Sequence, residues 1–220
     1  MALSDPLVDT VTFERNARTF RELGLQEPIC FLAREGDTRK RILEAALELF
    51  ATIGFDATPV DMIVSKSETS PNTLYRQFEC KSGLLNELYR ILQLEFRSYF
   101  SEIGMEDIGT NISFIEVVRR WFAYAIYRPH RHDLLFVRDL SMHLDERNRA
   151  RLAEFQEGSE RFYQKGQQGR HLRPGDPALL RAAIEGCLNG VLAQINRGKL
   201  ELNKDTFELA LKVAWDSIRY

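Results

Sequence analysis

Apolar residues at three- and four-residue spacing constrain this chain more than any other feature. Between about Thr38 and Ile53, the residues Ile42, Leu43, Ala46, Leu49, Phe50 and Ile53 share one helical face. Strand-like alternation is almost absent, and 13 glycines and 7 prolines in 220 residues break the pattern only at intervals. Gly54 stands where a left-handed residue would close the first helix. The expected fold class is therefore all-α.

Two much shorter helices follow. Thr58-Pro59-Val60-Asp61 reads as an N-cap, a first-turn proline and an acid, with Val60, Ile63 and Val64 turned inward. "SKSETS" turns the chain, and Ser70-Pro71 opens "SPNTLYRQF" with a second cap. That last helix has only Leu74 and Phe78 to bury, so neighbours must carry it. Two short helices with a tight turn, the second polar at its start, describe a helix-turn-helix reader of the major groove. Ser70, Asn72 and Thr73 are small enough to approach base edges, and asparagine suits adenine. Tyr75 can reach a phosphate, assisted by the positive end of its helix. Lys81, at the start of the next helix, is a second backbone clamp, and Arg39, Lys40 and Arg41 a third positive site. Thr58 completes the candidate DNA-binding set. The bland alternative, a helical hairpin that reads nothing, leaves the polar face and Lys81 unexplained.

"RILEAALELFATIGFDATPVDMI" followed by "SPNTLYRQFECKSGLL" resembles the N-terminal domain of the tetracycline-repressor (TetR) family of bacterial transcription regulators. The likeness runs over about residues 38–90, through Ile42, Ala45, Ala46, Phe50, Gly54, Thr58, Ile63, Ser70, Thr73, Leu74, Tyr75, Phe78, Lys81, Leu84 and Leu85. It implies a homodimer whose N-terminal domains read a palindromic operator. It also implies a C-terminal domain that binds a small-molecule effector releasing the DNA. Where the family's turn has small-Gly-aliphatic-Ser, this chain has Ser67-Glu68-Thr69-Ser70. Glu68 therefore takes a left-handed position at a cost of about 1–2 kcal/mol and brings a negative charge toward phosphates. That feature favours the rival reading, a helical small-molecule-binding or scaffolding protein that has lost DNA reading.

Composition bears on the remaining classes. A net charge of −2 excludes a globally basic, nucleic-acid-coating protein but leaves room for a local basic surface. Hydrophobic and charged fractions of 44% and 28% suit a soluble globular chain, and no apolar run approaches the length of a bilayer span. "MALSDPLVDTVTFERN" lacks the form of a secretory signal. Cys30, Cys80 and Cys187 are odd in number and unpaired in spacing, which fits a reducing cytoplasm and argues against zinc. His130, His132, Asp133 and His143 read as a solvated helix start, so no metal or cofactor is expected. Cys80 reads as a small N-cap, with a lowered-pKa thiol as the alternative. No nucleophile triad, paired carboxylates or phosphate-cradling glycine loop is present, which leaves enzyme activity without a basis.

The expected domains are an N-terminal extension (1–37), a DNA-binding domain (38–90) and a ligand-binding and dimerisation bundle (91–220). Within the extension, Val8, Val11, Phe20 and Leu23 suggest a weakly amphipathic helix. In the bundle, "HDLLFVRDLSMHL" reads as one short helix, and Asp205 as the cap of the last. Trp121, Phe122, Tyr124, Tyr127, Phe136 and Phe162 are the candidate ligand-binding residues, with ordinary core as the alternative. Ala183, Gly186, Gly190 and Ala193 form a small-residue stripe. With Phe207, Leu211, Ala214 and Ile218 of the last helix, that stripe suits a four-helix dimer interface.

Overall fold

The computed structural model describes residues 18–19, 21–100 and 111–220. Arg18, Thr19, Arg21 and Glu22 are helical; Val8, Val11 and Phe20 of the expected first helix lie outside the described residues. A 3-10 turn at Phe31–Arg34 precedes nine helices among the described residues. These are α1 (Asp37–Thr52), α2 (Val60–Lys66), α3 (Pro71–Phe78), α4 (Lys81–Phe100), α5 (Asn111–Tyr127), α6 (Pro129–His132), α7 (Glu146–Gln168), α8 (Pro177–Asn196) and α9 (Lys204–Ile218). The one extended pairing among those residues is an isolated bridge between Leu172 and Arg219. The chain is all-α.

Several ends follow the residues that announce them. Gly54 closes α1 with φ 101, Ser70 caps α3 ahead of Pro71, and Asp176 caps α8 ahead of Pro177. Three expectations need correction. Pro59, not Thr58, occupies the N-cap of α2, because the Thr58 hydroxyl turns back and donates to Gly54 O at 2.6 Å. Asn203, not Asp205, caps α9 by accepting from Thr206 N at 2.9 Å. The single helix expected over His132–Leu144 is broken into a π-helical turn at Asp133–Val137 and a 3-10 turn at Ser141–His143. The break comes where Arg138 leaves the helical path. Its guanidinium donates to Ala51 O at the end of α1 and to Asp133 Oδ2 at 2.7 Å.

The chain divides into two compact units, one of Pro28–Tyr99 with Arg128–Arg151 and one of the flanking segments with Leu152–Tyr220. This differs from boundaries at residues 37 and 90, since the end of the extension and the returning segment 128–151 both join the helix-turn-helix unit. Polar links account for that. Phe31 N donates to Glu95 Oε2 at 2.9 Å, and Arg128 donates to Pro28 O at 3.0 Å. Arg131 donates to Glu95 Oε1 at 2.7 Å and to Cys30 Sγ at 3.1 Å. Glu95 is fully buried, so this pair owes its tolerance to having its acceptors filled. Asn86 is a second link: its amide donates to His143 O and accepts from Asp145 N at 2.7 Å. Burial pushes the His132 imidazole down to about 3, so it packs as a neutral ring.

Ile42, Leu43, Phe50, Ile63, Leu74, Leu84, Leu85, Leu88 and Leu92 form the core of this unit, each with no exposed surface. In the other unit, Phe114, Phe122, Tyr124, Ile195, Phe207, Ala214 and Ile218 are buried, with the Phe122 and Phe207 rings edge to face at 5.7 Å.

The step from α3 to α4 is tight enough to dictate a residue. A Cβ on Gly83 would lie 2.1 Å from the Phe78 carbonyl oxygen. Gly83→Ala should therefore destabilise the protein by about 1–3 kcal/mol despite alanine's better helix propensity. Urea denaturation checks this; a gain in stability would show that the helices can separate freely.

Candidate nucleic-acid interface

The α2–α3 turn rests on backbone geometry that a glycine usually supplies. Ser67 ends α2, Glu68 follows at φ 51, Thr69 N donates to Val64 O at 3.0 Å and Glu68 N to Ser65 O at 3.3 Å. These are the paired bonds of a Schellman motif, with a glutamate in its left-handed position. Ser67 Oγ and Thr69 Oγ1, 2.8 Å apart, brace the turn from inside. The left-handed site expected at Glu68 is thus present, while its carboxylate is 86% exposed and 3.7 Å from Arg41.

Helix α3 then starts under a side-chain cap. Ser70 Oγ accepts from Thr73 N at 3.2 Å and lies 2.9 Å from Thr73 Oγ1, so both hydroxyls are partly used by the cap itself. Leu74 and Phe78 are buried beneath the helix. Asn72 is exposed, and so is Tyr75 at 45%. Ser70, Asn72, Thr73 and Tyr75 are thus brought together on one outward, polar surface at the start of the helix.

The other candidates are used differently. Thr58 is fully buried, its hydroxyl within 3.4 Å of Leu49 O as well as bonded to Gly54 O, so it shapes the turn after α1 and offers nothing to DNA. Lys81 donates its ammonium to Phe55 O at 2.9 Å and Thr58 O at 3.0 Å, and sits 4.3 Å from the Phe55 ring centroid. These two bonds tie the start of α4 to the turn before α2, a positioning role that the sequence did not reveal. Arg39 pairs with Glu35 at 2.8 Å and with Glu87, and lies over the Phe78 ring. Lys40 is 3.9 Å from Glu44. Glu87, held between Arg90 and Arg39, has its carboxyl below the ordinary range mainly through its Arg90 hydrogen bond. Cys80 Sγ accepts from Gly83 N at 3.3 Å, which is the helix-cap role read from the sequence.

One exposed base on α3 was missed by sequence reasoning: Arg76, one turn after Asn72. The four-residue interval from Asn72 was the signal that could have found it.

The ligand-binding candidates divide between the units. Phe122, Tyr124 and Tyr127 are buried, and Trp121 and Phe162 half-buried, in the unit containing α5 and α8. Phe136 belongs to the helix-turn-helix unit, packed on Phe96 at 4.8 Å and His132 at 5.3 Å. The dimer candidates divide as well. Phe207, Leu211, Ala214 and Ile218 are 0–8% exposed. They pack within their own bundle, where α9 lies against α5 and α8. Ala183, Gly186 and Gly190 are exposed and Ala193 half-buried; a Cβ on either glycine would meet nothing within 4 Å.

Together, α2, the turn and the capped α3 with its outward polar surface have the form of a helix-turn-helix unit. Residues 42–88 match the model of the family described as bacterial regulatory proteins, tetR family. The uncharacterized HTH-type transcriptional regulators YvkB and YhgD of Bacillus subtilis (strain 168) are 41% and 32% identical to this chain over 51 and 66 residues. Those matches take in 23% and 30% of this chain but only 27% and 35% of the two regulators. A TetR family transcription regulator from Marinobacter aquaeolei VT8 shares the fold, with a TM-score of 0.67 over 85% of this chain and 98% of that one, at 23% identity. The similarity to the tetR family of bacterial regulatory proteins lies in residues 42–88, which hold α2 and α3 and the turn between them.

Two substitutions test the geometry. Glu68→Gly should raise stability by about 1 kcal/mol, the left-handed cost less the entropy glycine loses on folding; a lower denaturation midpoint would contradict it. Lys81→Ala should lower stability and DNA affinity while leaving the salt dependence of binding unchanged. A direct phosphate contact would instead reduce the slope of log affinity against log salt by about 0.9.

Proposed function

We propose that this chain is a ligand-responsive transcription regulator of the cytoplasm. It acts as a repressor that binds a palindromic operator as a homodimer and leaves it when a small molecule binds the second unit. The observation that carries this reading is the capped α3, whose buried Leu74 and Phe78 fix it while Asn72, Tyr75 and Arg76 face outward. Nothing in the packing of the unit requires that polar surface.

Dimerisation is supported by α8. It is 20 residues long and apolar enough to cross a membrane by length and composition, which the sequence reading did not expect, yet only 28% of that stretch is buried. Leu180, Ile184, Leu188, Leu192 and Ile195 pack inward, while Leu179, Ala183, Gly186 and Gly190 remain outside. On α9 the outward apolar residues are Leu209 and Val213, at 61% and 48% exposure. A second copy covering these surfaces accounts for helices that pack on their own bundle with one side only. The effector would occupy the aromatic region of Trp121, Phe122, Tyr124, Tyr127 and Phe162, which is apolar with hydroxyl-bearing tyrosines.

The rival reading, a helical binding protein without DNA recognition, draws on the exposed Glu68 carboxylate and on the ion pairs that occupy Arg39 and Lys40. Binding to duplex DNA across a salt series separates the two. A regulator should enrich one symmetric sequence from a random pool and lose affinity steeply with salt. Equal, negligible binding to every duplex would establish the rival. Replacing Gly186 and Gly190 with leucine should yield monomers in sedimentation; a dimer of unchanged affinity would move the interface elsewhere.

A further inference from the structure

Seven lysines and arginines lie between residues 38 and 90, and six of them are engaged within their own unit. Arg39 is held by Glu35 and Glu87, Lys40 by Glu44, Arg41 by Glu68, Lys66 by Glu48 at 2.7 Å and Arg90 by Glu87 at 2.8 Å. Lys81 is bonded to two backbone carbonyls. Only Arg76 is exposed with no ion pair or hydrogen bond among the described residues. It lies on α3, four residues after Asn72 and beside Tyr75, opposite the buried Leu74 and Phe78. Glu79, the nearest acid in sequence, sits past the helix end at φ 63 and forms no ion pair with it among those residues.

We infer that Arg76 is the specificity-determining residue of the reading helix and pairs with a guanine in each half-site. This rests on the proposed DNA-binding function. A guanidinium presents a planar fork of donors that fits guanine O6 and N7 in the major groove, and such a pair discriminates where a single charge does not. Its position supports the assignment. Four residues advance a helix by about 6 Å, close to two base-pair steps of about 3.4 Å. Asn72 reading an adenine therefore places the guanine about two steps away. Five of the six other bases are paired with acids and Lys81 is bonded to two carbonyls, so Arg76 is the exposed cation of α3 left with its donors unengaged among the described residues.

The test selects bound sequences from a random duplex pool with the full-length protein and with Arg76→Ala and Arg76→Lys. Arg76 has no partner to lose, so the thermal midpoint of each variant should match the parent. The parent should enrich a symmetric motif with one strongly preferred guanine per half-site. Arg76→Ala should keep the rest of the motif while its discrimination at that guanine falls by about 5- to 150-fold. Arg76→Lys should restore affinity better than discrimination, because a lysine is a point charge. Retention of the guanine by Arg76→Ala would overturn the assignment and leave DNA binding standing. So would a uniform loss on all sequences with a slope reduced by about 0.9, which marks a phosphate contact. No enrichment by the parent would overturn the DNA-binding reading, and this inference with it.

Discussion

The ammonium group of Lys81 joins three helices at one point. It donates to the carbonyls of Phe55 and Thr58 in the turn between α1 and α2, while its own backbone begins α4. Hydrogen bonds to a charged group contribute about 1.5–3 kcal/mol each, and the Phe55 ring beneath the cation adds a smaller attraction. His143 meets the same turn, its ring tilted against Phe55 at 4.5 Å and its Nε2 3.3 Å from Asp56. With α1 and α4 fixed in this way, α2 and α3 have a rigid bed. Neither is long enough to be stable alone.

That bed costs the unit much of its positive charge. The arginines and lysines that would face a polyanion are tied to glutamates that hold α1, α2 and α4 together, and Arg138 spends its guanidinium on the end of α1. Internal neutralisation stabilises the scaffold and reduces sequence-independent attraction to phosphate, which favours a reader that depends on the exposed stripe of α3 for discrimination. The Glu68 turn belongs to the same economy, since it accepts backbone strain to present that stripe.

Much of the architecture was legible because it rests on local chemistry. Ile42 to Ile53 repeat with helical spacing, Gly54 is free to turn left-handed, and Ser70-Pro71 can only cap and start a helix, so α1 and α3 could be placed by inspection. What escaped was decided at a distance. Thr58 looked like a cap, but the Gly54 turn brings a carbonyl within 2.6 Å of its hydroxyl. The inward bonds of Lys81 were out of sight, because its acceptors lie 23 and 26 residues back along the chain. The apolar stripe of α9 was visible, but periodicity shows that a face is covered and not by what. Phe207, Leu211, Ala214 and Ile218 are buried within their own bundle. Arg76 was hidden for the opposite reason: it stands out only beside five bases paired with acids and Lys81 bonded to carbonyls.

The most direct test of the central claim is amide hydrogen exchange on the full-length protein, alone and saturated with an enriched duplex. The α3 surface and its turn are expected to contact the groove, so slowing on DNA addition should concentrate in residues 65–79. Exchange there that is unchanged at saturating DNA, with protection gained on another surface, would contradict the placement of α3 as the reading helix.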